Sequence, residues 1–105
     1  MKDILRDIQD LDKLSNGVMD EIEAGRLDEA ERLCEKLLKQ YPDQIDGHKR
    51  LAKVREAQGR WAEAAAAYDR AIAHIDCHPD GFDHEMVKIL HEKRTAALQR
   101  VGHAP

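Results

Sequence analysis

The sequence predicts an all-α protein of about five helices, built as a stack of antiparallel helical hairpins, and three observations carry that prediction. The chain of 105 residues has one Ser, one Thr and one Asn against fourteen Ala, ten Leu and nine Glu, with aromatics at 4%. That composition favours helix and leaves little to build strands from. Apolar residues recur at i, i+3, i+4 and i+7 spacing rather than alternately. A shift of 34 positions lays residues 11–44 on residues 45–78, with Asp12 on Asp46, Gly25 on Gly59, Arg26 on Arg60, Glu29 on Glu63 and Ala30 on Ala64. Four of these identities fall inside one six-residue block, G-R-x-x-E-A, which marks an internal repeat.

Taken in order, the elements follow from these patterns within one domain spanning residues 1–105. Residues 1–10 read as a helical extension, because Ile4, Ile8, Leu11, Leu14, Val18 and Ile22 form one stripe that starts upstream of the repeat. The cluster Ser15, Asn16, Gly17 is expected to break or bend this first helix. Gly25 and Gly59 sit just past the first helix of each unit, where a left-handed residue reverses the chain. The second helices carry Leu27, Ala30, Leu33, Cys34, Leu37, Leu38 and Tyr41 in one unit, and Trp61, Ala64, Tyr68, Ala71, Ile72 and Ile75 in the other. Pro79, Asp80 and Gly81 form a turn into a terminal helix over residues 82–101. Its inner face is expected to hold Phe82, Met86, Leu90, Ala97 and Val101, and its solvent face His84, Lys88, His91, Thr95 and Gln99. Such a helix caps the stack, since every hairpin leaves an apolar face open. Leu, Ile, Val and Phe supply only 22 of 105 residues, so the core is expected to be thin and partly built from Ala.

A 34-residue helical hairpin of this pattern resembles the tetratricopeptide repeat. Val18 and Ala52 take that family's small position in the first helix, Leu27 and Trp61 the large residue after the glycine turn, and Ala30 and Ala64 its most characteristic alanine. Cys34 and Tyr68 fall on the aromatic position, Leu37 and Ala71 on the small apolar position, and Pro42 on the closing proline. Asp76 replaces the second closing proline, with Pro79 three residues later. Glu21 and Arg55 stand where the family usually has an aromatic, and Leu14 and His48 where it often has Trp. The resemblance covers residues 11–78. It implies a right-handed stack whose first helices line a concave face that holds a protein or peptide.

Charge and chemistry narrow the function. With 17 basic and 21 acidic residues the net charge is −4, which excludes nucleic-acid binding through bulk positive charge. Lys2, Asp3, Arg6, Asp7, Asp10 and Asp12 interrupt every early apolar run, so neither a signal sequence nor a membrane span is expected. Cys34 and Cys77 read as reduced thiols, and a cytoplasmic home is the expectation. No catalytic residue and no cofactor is expected. Ser15 has no His near it in sequence, Cys34 lies on an apolar stripe, and close carboxylates such as Glu21 with Glu23 or Asp80 with Asp83 follow from an acid-rich composition. His74, Cys77, His78 and His84 are the only cluster of metal-ligand types. His74 and His78 would share an ion if the helix persisted, but Asp76 and Pro79 point to its ending there, so no metal is expected. His48 and Trp61 read as packing residues.

Binding remains. The first-helix stripe of the second unit that packing does not use is Asp46, Lys49, Lys53 and Glu56, with Arg50 nearby, and Asp12, Ser15, Met19 and Ile22 or Glu23 are its counterparts. In chaperone-binding members of the family such positions hold Lys and Asn that clamp a terminal carboxylate. Ser15 and Met19 replace the clamp residues of the first unit, which favours a short acidic or mixed peptide crossing Met19, Lys49 and Lys53. The reading is an adaptor or co-chaperone-like scaffold. Two alternatives stand beside it: a structural homo-oligomer whose role is assembly, and a metal-responsive helical module. Two and a half repeats fall short of three, so a homodimer through the first or last helix is also expected.

Overall fold

The computed structural model describes residues 4–78 and 84–102, with side-chain surroundings for 10–78 and 84–101. Among the described residues the chain forms five helices and no strand: α1 Ile4–Glu23, α2 Leu27–Gln40, α3 Asp46–Ala57, α4 Trp61–Cys77 and α5 His84–Gly102. The thinnest dimension of the fold is 19 Å against a longest of 54 Å, about two helix diameters.

The repeat is exact at the turns. Gly25 and Gly59 adopt φ of +80° and +75°, a region closed to residues with a Cβ at low cost. The Gly25 amide donates to the Ile22 carbonyl at 3.0 Å and the Arg26 amide to Glu21 at 2.9 Å; Gly59 to Glu56 and Arg60 to Arg55 match at 2.9 and 2.8 Å. This is Schellman geometry in both units, and it satisfies the carbonyls that end α1 and α3. Ala30 and Ala64 then fall one turn into the next helix and are fully buried, so α1 approaches α2, and α3 approaches α4, at close range.

One expectation about the first helix is corrected. Ser15, Asn16 and Gly17 do not break α1, which is continuous through them. Tertiary contacts override the local breaker signal: Ser15 is buried with its hydroxyl bonded, and a Cβ on Gly17 would rest 3.4 Å from Leu33. α4 ends at Cys77, between Asp76 and Pro79 as the sequence pointed, and is three residues longer than α2, 17 against 14.

Three apolar clusters form the core, two of them large and a third between α4 and α5. Val18, Ala30, Cys34 and Val54 make the first, and Ile45, Ala52, Ala67, Tyr68, Ala71, Ile75 and Leu90 the second, with half-buried Leu51 packed against both. Where α3 crosses α2, a Cβ on Gly47 would meet Leu38 Cδ2 at 2.5 Å, so glycine there sets the spacing of the two hairpins. The last helix packs along α4 as extensively as the members of each hairpin pack on each other, but not comparably on α3. Ala64, Ala65 and Ala97 line that contact, and the Arg100 guanidinium sits 4.9 Å from the centre of the Trp61 ring. Val101 was expected on the inner face of α5 and is 41% exposed, at the edge of a shallow groove with Gly59, Arg60 and Trp61 where α4 begins. Val87 packs inward in addition to Met86 and Leu90. Phe82 lies outside the described residues.

Candidate partner-binding site

The residues expected to meet a partner separate into two groups. Ser15, on α1, is 2% exposed. Its hydroxyl donates to Asp46 Oδ2 at 3.1 Å and accepts from Arg50 Nε at 2.8 Å. Asp46 and Arg50 are one turn apart on α3, so their side chains straddle a single buried hydroxyl that needs partners once water is excluded. These three residues close the seam between α1 and α3 rather than standing open beside it.

Lys49 and Lys53 lie on the flank of the same α3 stripe toward α5. Lys49 lines a groove of about 280 Å³ with Glu85, Met86, Ile89 and Leu90, and Ile89 is 43% exposed at its edge. One turn along, Lys53 lies 3.4 Å from Glu56 and faces Lys93 of α5. Burial pushes the Lys53 ammonium below its ordinary range, and Lys93 adds to the shift while Glu56 opposes it. Glu56 is itself anchored, since it accepts from Tyr68 Oη at 2.6 Å. Burial, then that bond, raise the Tyr68 hydroxyl well above its ordinary value. Met19 is half-buried on α1.

The arrangement is thus a shallow apolar floor from α5 with Lys49 on one bank and Glu85 on the other, and with Lys53 and Lys93 side by side one turn along. Glu85, Ile89 and Lys93 were not read as site residues from the sequence. Their i, i+4, i+8 spacing was visible, but they lie on a line between the buried and solvated faces of α5, and only the placement of α5 beside α3 turns that line into one bank of a groove. A larger cleft of about 800 Å³ lies between α1 and α2, floored by Leu14, Gly17 and Leu33 and rimmed by Asp10, Lys13, Asp20 and Lys36. Its charges are mixed, and neither Lys49 nor Lys53 reaches it.

The histidine cluster is not gathered as a unit. His74 and His78 stack, while Cys77 and His84 are exposed apart from them. Among the described residues no three His, Cys, Asp or Glu side chains converge to hold a metal ion. His48 is half-buried with its Nδ1 lacking a partner, and burial, followed by the charges of Arg70 and His74, lowers its imidazole below the ordinary value. Burial pushes the Cys34 thiol up to about 12, which leaves it a packing group rather than a nucleophile.

With the helices, turns and seam in place, the comparison with known families is direct. A family model described as the tetratricopeptide repeat matches residues 17–81, more than half of the chain, and the chain belongs to that family. Its members are generally protein–protein interaction modules and are typically non-catalytic. No match was found among curated proteins or among solved structures. No helix among the described residues is long and apolar enough to cross a membrane.

Proposed function

We propose that this protein is a non-catalytic adaptor, working in the cytoplasm, that holds a peptide or protein partner on the face carried by α1, α3 and α5. The observation that carries this reading is the groove between α3 and α5, where Lys49 and Glu85 border an apolar floor of Met86, Ile89 and Leu90, with Lys53 and Lys93 side by side one turn along. A half-buried ammonium beside a like charge gains from an incoming carboxylate even with Glu56 alongside, and an exposed isoleucine at the groove's edge gains from an apolar contact. Ser15, Asp46 and Arg50 serve this site by fixing α1 on α3, Glu56 holds Lys53, and Met19, Lys49 and Lys53 make contact.

The test is a peptide array of varied charge probed with the full chain and with Lys49→Glu/Lys53→Glu. Acidic peptides should be retained by the parent and lost by the variant, and equally by Lys49→Glu alone, with the helical circular dichroism spectrum retained. Capture of the same peptides by both proteins would overturn the reading. A variant that instead changes oligomeric state, with peptide capture intact, favours the assembly alternative.

A further inference from the structure

The first hairpin keeps one face that neither the seam nor the α3–α5 groove uses. A shift of 34 lays Lys13, Gly17 and Asp20 of α1 on Gly47, Leu51 and Val54 of α3. On α3 these positions meet the preceding hairpin. Val54 is fully buried in a cluster with Val18, Ala30 and Cys34, Leu51 packs against that cluster, and a Cβ on Gly47 would strike Leu38. On α1 the same positions line the cleft of about 800 Å³ beside α2, and among the described residues only α1 and α2 border it.

Gly17 is a poor choice for a helix face that meets only water, because it stands in the middle of the 20-residue α1, where glycine lowers helix propensity most after proline. A Cβ there would meet only Leu33, at 3.4 Å, so the hairpin's own packing has room for a side chain. Gly47 shows the use of a glycine on this face: it lets another helix pass close. The charges round the cleft are sorted by end. α1 and α2 run antiparallel with Gly17 beside Leu33, so Lys13, four residues before Gly17, and Lys36, three after Leu33, lie toward one end and Asp20 toward the other. Among the described residues none of these three has an ion-pair partner. Asp10 sits a further turn out, about 10 Å from Gly17 along the axis. A face that is basic at one end and acidic at the other complements itself when turned end over end, as a two-fold axis does.

We propose that this cleft holds a second copy of the chain, with the two α1 helices crossing antiparallel at Gly17 so that Lys13 and Lys36 of each copy face Asp20 of the other. Such a contact uses the same surface twice and closes at two copies. A parallel crossing would set Lys13 on Lys13 and Asp20 on Asp20, and like charges so placed repel. The cleft shares no residue with the α3–α5 groove, so the dimer stands whether or not that groove holds a peptide.

The experiment is sedimentation equilibrium of the full chain at low salt, up to about 1 mM, the weak end of specific association. The parent should fit a monomer–dimer equilibrium with no larger species. Lys13→Asp and Asp20→Lys, both at exposed positions of α1, should each weaken dimerisation by more than about tenfold while keeping the helical circular dichroism spectrum. Mixing these two variants should restore a dimer, since each then offers the charge that the other lacks. Gly17→Gln, which keeps a helix former at the site and fills the crossing, should also weaken the dimer. A monomer at every concentration overturns the proposal. So does a dimer that Lys13→Asp and Asp20→Lys leave intact, a mixture of the two that stays monomeric, or growth beyond two copies, which means open head-to-tail stacking instead.

Discussion

In the first hairpin the seam beside the family's alanine is filled by Cys34 and Leu37, whereas at the same positions the second hairpin has Tyr68 and Ala71. All four are at most 1% exposed. A small and a large side chain on successive turns have exchanged places, which keeps the filled volume similar inside one backbone frame. The polar position at the end of the first helix also differs. Glu21 pairs with Arg26 across its own turn, but Arg55 reaches Glu31 of α2 and Glu63 of α4, the latter at 3.2 Å. The second hairpin is therefore the hub of the molecule: Arg55 ties it to the first, and α5 seals its other side. The lesson is that the turn defines the repeat, while the seam composition decides which unit holds the others.

The largest effect should come from Tyr68→Ala. Removing a buried aromatic is expected to cost about 3–5 kcal/mol, and it also strips Glu56 of its hydroxyl partner. Cys34→Ala at the equivalent site should cost only about 1 kcal/mol, the loss of one buried heavy atom. Urea unfolding of both variants compares them directly. The volume exchange is sharpened by Cys34→Tyr, expected to lose about 1–3 kcal/mol by overpacking, against Cys34→Tyr/Leu37→Ala, expected to recover much of that loss. No recovery breaks the comparison.

Next in size is Arg55→Ala. The Arg55 side chain is 17% exposed and bridges two helices, so its loss should cost about 1.5–3 kcal/mol, as for hydrogen bonds to charged groups. Equal stability of variant and parent would remove Arg55 as the tie between hairpins. Gly25→Ala and Gly59→Ala should each cost about 1–2 kcal/mol, the penalty of a left-handed backbone for a residue with a Cβ. An added Cβ meets nothing within 4 Å at either site, so the costs are purely conformational and should agree with each other. A clear inequality between them would show that the two turns are not equivalent.

The features read correctly from the sequence are those set by local chemistry repeated 34 residues apart. Gly25, Gly59, Ala30 and Ala64 each have a conformational or steric reason to be what they are, and two copies of one signal outweigh composition. What escaped was set by long-range packing. Ser15 looks like a breaker beside Asn16 and Gly17 and becomes a buried bridge only when Asp46 and Arg50 arrive from α3. Ala65 and Ala67 are buried off the predicted stripe, because α4 is covered on two sides, by α3 and by α5, and a one-sided periodicity does not register that. The groove was half legible for the same reason: Lys49 and Lys53 share a helix face, while Met86, Ile89 and Lys93 join them only through the docking of α5.

The smallest predicted effect separates the two polar positions by acid. Arg26 donates from Nη2 to Glu21 Oε1 at 3.1 Å and also from Nε to the other oxygen. That hydrogen bonding holds the Glu21 carboxyl below its ordinary 4.5, with slight burial opposing and the Arg26 charge adding. In the unfolded chain Glu21 titrates at the ordinary value, so below it the unfolded state binds protons more readily than the folded one. The stabilisation is therefore complete above pH 4.5 and is lost as pH falls through the folded value. Arg55, at the equivalent place, keeps its charge throughout this range. The difference in urea midpoint between the parent and Glu21→Gln should stay constant above about pH 5 and shrink below it. It should also shrink in high salt, as expected for an exposed pair. A difference that does not vary with pH would mean that the Glu21–Arg26 bridge adds nothing to the first turn beyond what its backbone already provides.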